Sequence, residues 1–333
     1  MQSKEKVQRM VFEILSILKE KKNESPLGAR LIARELRERG FEIGDRAVRY
    51  HLKHLDERGL TRKAGSLKGR IITEKGEEEL KRDLVGDRVG FVLGRIEELI
   101  YRMSFDLETG EGDVVTNFSL VKSEDLQRTL ETMQTVTEKM YAPSPLIKIM
   151  KSDEDSGGFE VPEGKIGLVT VCSVTIDGLL YKRGIPVDPK FGGILEIESG
   201  EPTRFIDAIA YSGSSLDPLD VFASRKMTSL SKAIETGSGK ILANMREIPI
   251  VARSEAERIV EKAEEADLNG VIRIGQAAEP LFGLPVDANR VGISVAGGIN
   301  LSVAVNEKDI EIETAPIHST VDISELSHIE NHI

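Results

Sequence analysis

VPEGKIGLVTVCSVTIDGLLYKRGI (residues 161–185) aligns without a gap to VDANRVGISVAGGINLSVAVNEKDI (residues 286–310). Val161 matches Val286, Lys165 matches Arg290, Gly167 matches Gly292 and Ile185 matches Ile310. Each segment reads as a β-run, a turn of small polar residues and a second apolar run. Upstream of each lies a strand and then a charged helix: GDVVTNFSLV before SEDLQRTLETMQTVTEKM, and GKILANMREIPI before SEAERIVEKAEEA. Asn117-Phe118 and Asn244-Met245 fall at equivalent points, and LEIES and IEIET match downstream. An ordered series of this kind predicts an internally duplicated α/β effector domain over residues 104–333, with halves at about 104–225 and 226–333.

Related halves facing each other leave a cleft where their loops meet. The loops VCSVTIDG and VAGGINLS bring Cys172, Ser173, Thr175, Gly297, Gly298 and Asn300 there, and Arg246 comes from the strand ILANMREIPI. The glycines offer free backbone N–H groups for an anion, and an arginine is a fork for a carboxylate. Plainer roles stand beside these: a buried thiol for Cys172, a tight turn for the glycines, an ion pair with Glu247 or Glu255 for Arg246.

Upstream of residue 83 the pattern changes. KEKVQRMVFEILSILKEKKN places Val7, Met10, Val11, Ile14, Leu15, Ile17 and Leu18 on one helical face. SPLGARLIARELRERG predicts a second helix with Ser25 as N-cap and Pro26 in its first turn, its apolar stripe being Leu27, Leu31, Ile32 and Leu36. GDRAVRYHLKHLDERGL (44–60) predicts a third, capped by Asp45, burying Ala47, Val48, Leu52 and Leu55 and presenting Arg46, Arg49, Tyr50 and Lys53. LTRKAG and RIITEKG then read as a hairpin with the tip SLKG, carrying Lys63, Lys68 and Arg70. Three helices and a basic hairpin are the order of a winged helix-turn-helix over residues 1–82, whose third helix suits the major groove of double-stranded operator DNA.

Charge divides the same way. Residues 1–85 hold 21 Lys and Arg against 15 Asp and Glu, whereas the remainder holds 24 against 41, giving the chain its net −11. A basic head on an acidic body confines nucleic-acid contact to the head. Between them, 83–103 reads as a connecting helix with Val85, Val89, Val92, Ile96 and Leu99 on one side. That stripe serves either a homodimer seam or docking on the body.

Several chemistries are disfavoured. The histidines lie at 51, 54, 318, 328 and 332, so residues 55–317 lack the commonest acid–base group, and no Walker loop or nucleophile elbow is present. The single cysteine excludes an internal disulfide. No enzyme activity, cofactor or metal site is expected, the alternative being a metabolite-binding protein or enzyme, by carboxylate or lysine chemistry, whose head regulates its own operon; His328 and His332 stand four residues apart in a tail expected to fray. No apolar run spans a membrane and the start lacks a signal peptide, which predicts a cytoplasmic protein.

A winged helix-turn-helix followed by GLVTVCSVTIDGLLYKRGIPVDPKFGGILEI, ILANMREIP and GGIN resembles the NrpR family of archaeal repressors of nitrogen-assimilation genes. The resemblance runs over nearly the whole chain, and Cys172 with Phe191-Gly192-Gly193 is its most specific part. It implies a homodimeric regulator that leaves palindromic operators when 2-oxoglutarate, a small dicarboxylate, accumulates. Two departures are visible: there is room for one effector domain where many members carry two, and Leu301 follows Asn300 where the family has proline.

Overall fold

The computed structural model describes residues 2–21, 26–64, 69–82, 91–152 and 161–333. The chain forms two compact units, Met1–Asp87 and Arg88–Ile333. No helix among the described residues is long and apolar enough to cross a membrane.

The first unit contains α1 (Gln2–Glu20), α2 (Ala29–Glu38), α3 (Asp45–Glu57), the antiparallel pair β1 (Thr61–Lys63) and β2 (Arg70–Ile72), and α4 (Glu74–Arg82). It is a winged helix. Ile14, Leu15, Ile17 and Leu18 of α1 close over Ile32, Leu36, Val48, Leu52 and Leu55, with Leu60 and Ile72 from the wing. Four local expectations change. Ser25 and Lys68 lie outside the described residues. Leu27 is not in α2: its N–H and C=O both bond Arg70, so the backbone before α2 stays extended and the helix starts after Gly28. Gly44, not Asp45, precedes α3, and Ala47 is exposed. TEKG ends the wing rather than extending it, because the Thr73 hydroxyl accepts the Gly76 N–H at 3.1 Å and caps α4.

The first described helix of the second unit is α5 (Phe91–Arg102). Val85 and Val89 lie outside the described residues, but Val92, Ile96 and Leu99 are buried in the body's own core. The described part of this helix is thus packed into the second unit. After it come β3 (Asp113–Lys122), α6 (Leu126–Glu138), β4 (Leu146–Met150), β5 (Lys165–Val171), α7 (Val174–Lys182), β6 (Asp188–Glu198) and β7 (Glu201–Ala210). The short helices α8 (Pro218–Ser224) and α9 (Leu230–Thr236) lead to the second series. That series is β8 (Gly239–Pro249), α10 (Arg253–Glu265), β9 (Val271–Ala277), β10 (Arg290–Ala296), α11 (Asn300–Glu307), β11 (Ile312–Asp322) and β12 (Ser327–His328).

The strands form two five-stranded sheets, β11-β3-β5-β4-β12 and β7-β6-β8-β10-β9. The duplication is present in this order and in the register. Asn117 pairs with Thr170 as Asn244 pairs with Val295, and Lys122 with Lys165 as Pro249 with Arg290. The halves do not stay separate, however. β6 of the first half joins the second half's sheet beside β8, and β11 of the second joins the first half's sheet beside β3. The second apolar run of each aligned segment is a helix. In α7 every residue from Val174 to Leu180 is buried, and a helix buried all round shows no stripe.

Candidate functional site

Two sites follow from this framework, one in each unit. On α3, Arg46, Arg49, Tyr50 and Lys53 recur at helical spacing on one exposed face; Tyr50 is 61% exposed. The Tyr50 ring lies edge-on to His54 with centroids 4.6 Å apart. Arg49 contacts Asp45 at 2.5 Å, a surface pair that DNA phosphate can displace at little cost. Lys63 and its neighbour Arg62 are exposed on β1. Arg70 is placed otherwise. Its Nε donates to Asp56 at 2.9 Å, and Asp56 also accepts the Thr61 hydroxyl at 2.7 Å, so this arginine ties α3 to the wing.

In the second unit, a small cavity lies where β3, β8 and the N-termini of α7 and α11 converge. Its walls include Asn117, Cys172, Ser173, Asp177, Asn244, Arg246 and Gly298, together with Tyr211, Asp217 and Ile96. The enclosed volume is about 20 Å³, room for about one water. Cys172, Ser173, Arg246 and Gly298 are therefore brought together as the sequence suggests.

Thr175, Gly297 and Asn300 are not on these walls. The Thr175 hydroxyl accepts the Val115 N–H at 3.1 Å and donates to the Val115 carbonyl at 3.0 Å. At the matching point Asn300 accepts the Leu242 N–H at 3.0 Å, and its amide donates to the carbonyls of Leu242 and Tyr141 at 2.9 and 2.8 Å. The N–H groups of Cys172 and Gly297 make a second matched pair, donating to Val115 and Leu242 at 2.8 Å each. Each half thus staples the start of one helix to its first strand. The Gly297 N–H is consumed by that staple and is no free anion donor.

The polar groups facing the cavity differ between the halves. On one side the Tyr211 hydroxyl donates to Asn244 Oδ1 at 2.7 Å, and Asn244 Nδ2 donates to Ser173 Oγ at 3.0 Å. On the other, Asn117 Oδ1 accepts the Ile317 N–H at 3.0 Å, but Asn117 Nδ2 has no partner among the described residues. Glycine stands there in place of serine. A Cβ on Gly298 would come 2.8 Å from Asn117 Nδ2 and 3.2 Å from the Ser173 nitrogen, so the backbone closes where a side chain would otherwise answer the amide.

Arg246 pairs with Asp177, and not with Glu247 or Glu255. Its Nε is 2.6 Å from Asp177 Oδ1 and its Nη2 donates to Oδ2 at 3.0 Å, with both residues buried. Nη1 has no partner among the described residues. Burial pushes the Asp177 carboxyl up to about 6 in spite of the arginine, and pushes Asp217 to about 6 as well. Burial also raises the Cys172 thiol to about 12, which makes it inert and not nucleophilic. Sequence reasoning missed Asp177, Tyr211 and Asp217. The matched Asn117 and Asn244 were visible in the repeat, but only the fold shows that both face one cavity. No cluster of three or more metal-ligating side chains occurs among the described residues.

Residues 89–328 match the family model described as NrpR regulatory domains NRD1 and 2, and residues 12–80 match the ribonuclease R winged-helix domain. The chain is 47% identical to the global nitrogen regulator NrpRI of Methanosarcina mazei, over 97% of this chain and 98% of that one. It is 34% identical to the global nitrogen regulator NrpR of Methanococcus maripaludis, over 96% of this chain but only 54% of that longer protein. Among solved structures it is similar to a nitrogen repressor-like protein from Methanococcus jannaschii, with 29% identity and a TM-score of 0.61. That similarity covers 72% of this chain and 98% of the other.

Proposed function

This chain belongs to the NrpR family, and from that premise we propose that it is a cytoplasmic repressor of nitrogen-assimilation genes, released from its operator by 2-oxoglutarate. Arg46, Arg49, Tyr50 and Lys53 would enter the major groove, and Lys63 of the wing would add phosphate contacts. A homodimer would set two such helices on the two halves of a palindrome. In this reading the body is a sensor: the cavity's two acids are tied to Arg246 and to a helix cap, and its thiol is buried.

One observation carries the sensing role. Two buried donors, Arg246 Nη1 and Asn117 Nδ2, line a cavity and donate to nothing among the described residues. A buried donor without an acceptor costs about 1–3 kcal/mol, so a site that keeps two is built for something that brings acceptors. A dicarboxylate brings them at both ends. At about 20 Å³ the cavity must widen to admit it, and ligand binding is thereby coupled to a change in the body's shape. Titrating 2-oxoglutarate into the complex of full chain and operator DNA, followed by fluorescence anisotropy, tests the reading. Release that saturates supports it; an anisotropy that stays constant to millimolar ligand contradicts it.

A further inference from the structure

Arg246 is the cavity's only cation among the described residues, and the protein already neutralises it. Asp177 meets it at two points, and the pair is buried with each side chain no more than 3% exposed. The two partners are not equally free to move. Arg246 sits in β8, paired on one side with Pro189 and on the other with Ile293, so its backbone is locked in the middle of a sheet. Asp177 sits on the nine-residue helix α7. An anion arriving with the pair intact meets a cancelled charge and the further carboxyl of Asp217, and gains little.

We propose that Asp177 is a built-in competitor for the effector: a ligand carboxylate takes its place on Arg246, and α7 passes the displacement to α5. This rests on the effector reading above. The exchange keeps the guanidinium paired throughout, and Asp177, released from Arg246, takes up a proton from water, so no bare carboxylate is stranded in the interior. It also defines the ligand's chemistry. A free carboxylate able to meet Nε and Nη2 together is required, and an ester or amide in its place cannot displace an ionised aspartate.

The relay is one residue away. A Cβ on Gly178 would lie 2.3 Å from the sulfur of Met103, so the residue that follows α5 is packed directly on the α7 backbone. From the middle of α5, Ile96 reaches the cavity wall itself. Arg95 donates to the carbonyls of Ile317 and His318 in the irregular stretch of β11, where Ile317 holds a φ of +50. A β-branched residue in that region is strained and persists only where neighbours enforce it. α5 is thereby held at the places a ligand would disturb, and it is the first described element after the DNA-binding unit.

Asp177→Asn keeps the shape and removes the competing charge. In the full chain it should bind 2-oxoglutarate about tenfold more tightly than the wild type in calorimetry, and bind operator DNA several-fold more weakly without ligand. Weaker ligand binding would overturn the proposal, because Asp177 would then hold the ligand; unchanged affinity for both would overturn it equally. If the wild type itself fails to bind 2-oxoglutarate, that ligand assignment falls, and the ligand-free operator affinity of Asp177→Asn decides the exchange by itself. Met103→Leu covers the case in which Asp177→Asn does not fold. It should keep the wild-type ligand affinity and lose most of the ligand's effect on operator binding; a full effect would overturn the relay.

Discussion

The two halves of the body share a fold but not a chemistry. Thr175 and Asn300 stand at matching positions and do the same work, each bracketing the N–H and C=O of one residue on its half's first strand. A few residues away, Ser173 satisfies Asn244 while Gly298 leaves Asn117 unanswered. Asp177 of the first half and Arg246 of the second have no charged counterparts, the matching positions being Ser302 and Ser119. In a duplicated fold the positions where the copies agree hold the backbone together, and those where they differ are free to bind.

The agreement can be broken first, with the largest expected effect. Asn300→Leu strips partners from Leu242 and from the Tyr141 carbonyl, and should cost about 2–5 kcal/mol in urea unfolding. Thr175→Val frees only Val115 and should cost about 1–3 kcal/mol. If either folded variant lost its effector response at full stability, the staple role would be wrong for that residue.

The difference can be sharpened at Gly298. Gly298→Ala drives a methyl toward Asn117 Nδ2 and the Ser173 nitrogen, an overpacking worth about 1–3 kcal/mol. It should abolish the calorimetric signal for 2-oxoglutarate, yet leave operator binding within about twofold of the wild type. Retained ligand binding would place the ligand elsewhere.

The acids on one side add a pH dependence. Asp217 has a folded value of about 6 against the ordinary 3.8, so the folded state holds its proton more tightly. Its stabilisation is full below 3.8 and is lost as pH rises through about 6. Asp217→Asn should therefore gain stability relative to the wild type between pH 5 and pH 7, by about 1–3 kcal/mol. A gap that does not change with pH would show that Asp217 is not held protonated by burial. The smallest effects belong to the head. Arg49→Ala should cost about 1–3 kcal/mol of specific operator binding, whereas Arg70→Ala should lower the head's melting temperature and spare specificity. Reversed results would exchange the roles assigned to α3 and the wing.

Much of this was legible in the sequence because it is written in periodicity. The α3 stripe, the wing and the ordered strands of the two halves all repeat at the spacing of their elements. What stayed hidden depends on contacts distant in the chain. Leu27 reads as the start of a helix until Arg70 claims both its backbone groups. Nothing in β6 or β11 says that each will pair with the other half's first strand. The tail expected to fray is instead pinned, with Ile329 buried and its N–H on the Pro145 carbonyl. Thr175 and Asn300 look like ligand groups because their side chains can hydrogen-bond; only the fold shows that the backbone has taken those bonds. Asp177, a lone acid in an apolar run, gave no sign of its partner Arg246.

The central claim is that a ligand in the body's cavity and operator DNA on the head oppose each other. Calorimetric titration of 2-oxoglutarate into the full chain, alone and saturated with operator DNA, tests it most directly. Linkage requires the ligand to bind the DNA complex more weakly, by the same factor by which it weakens operator binding. Equal affinities with and without DNA would contradict the account, even if the ligand occupies the cavity.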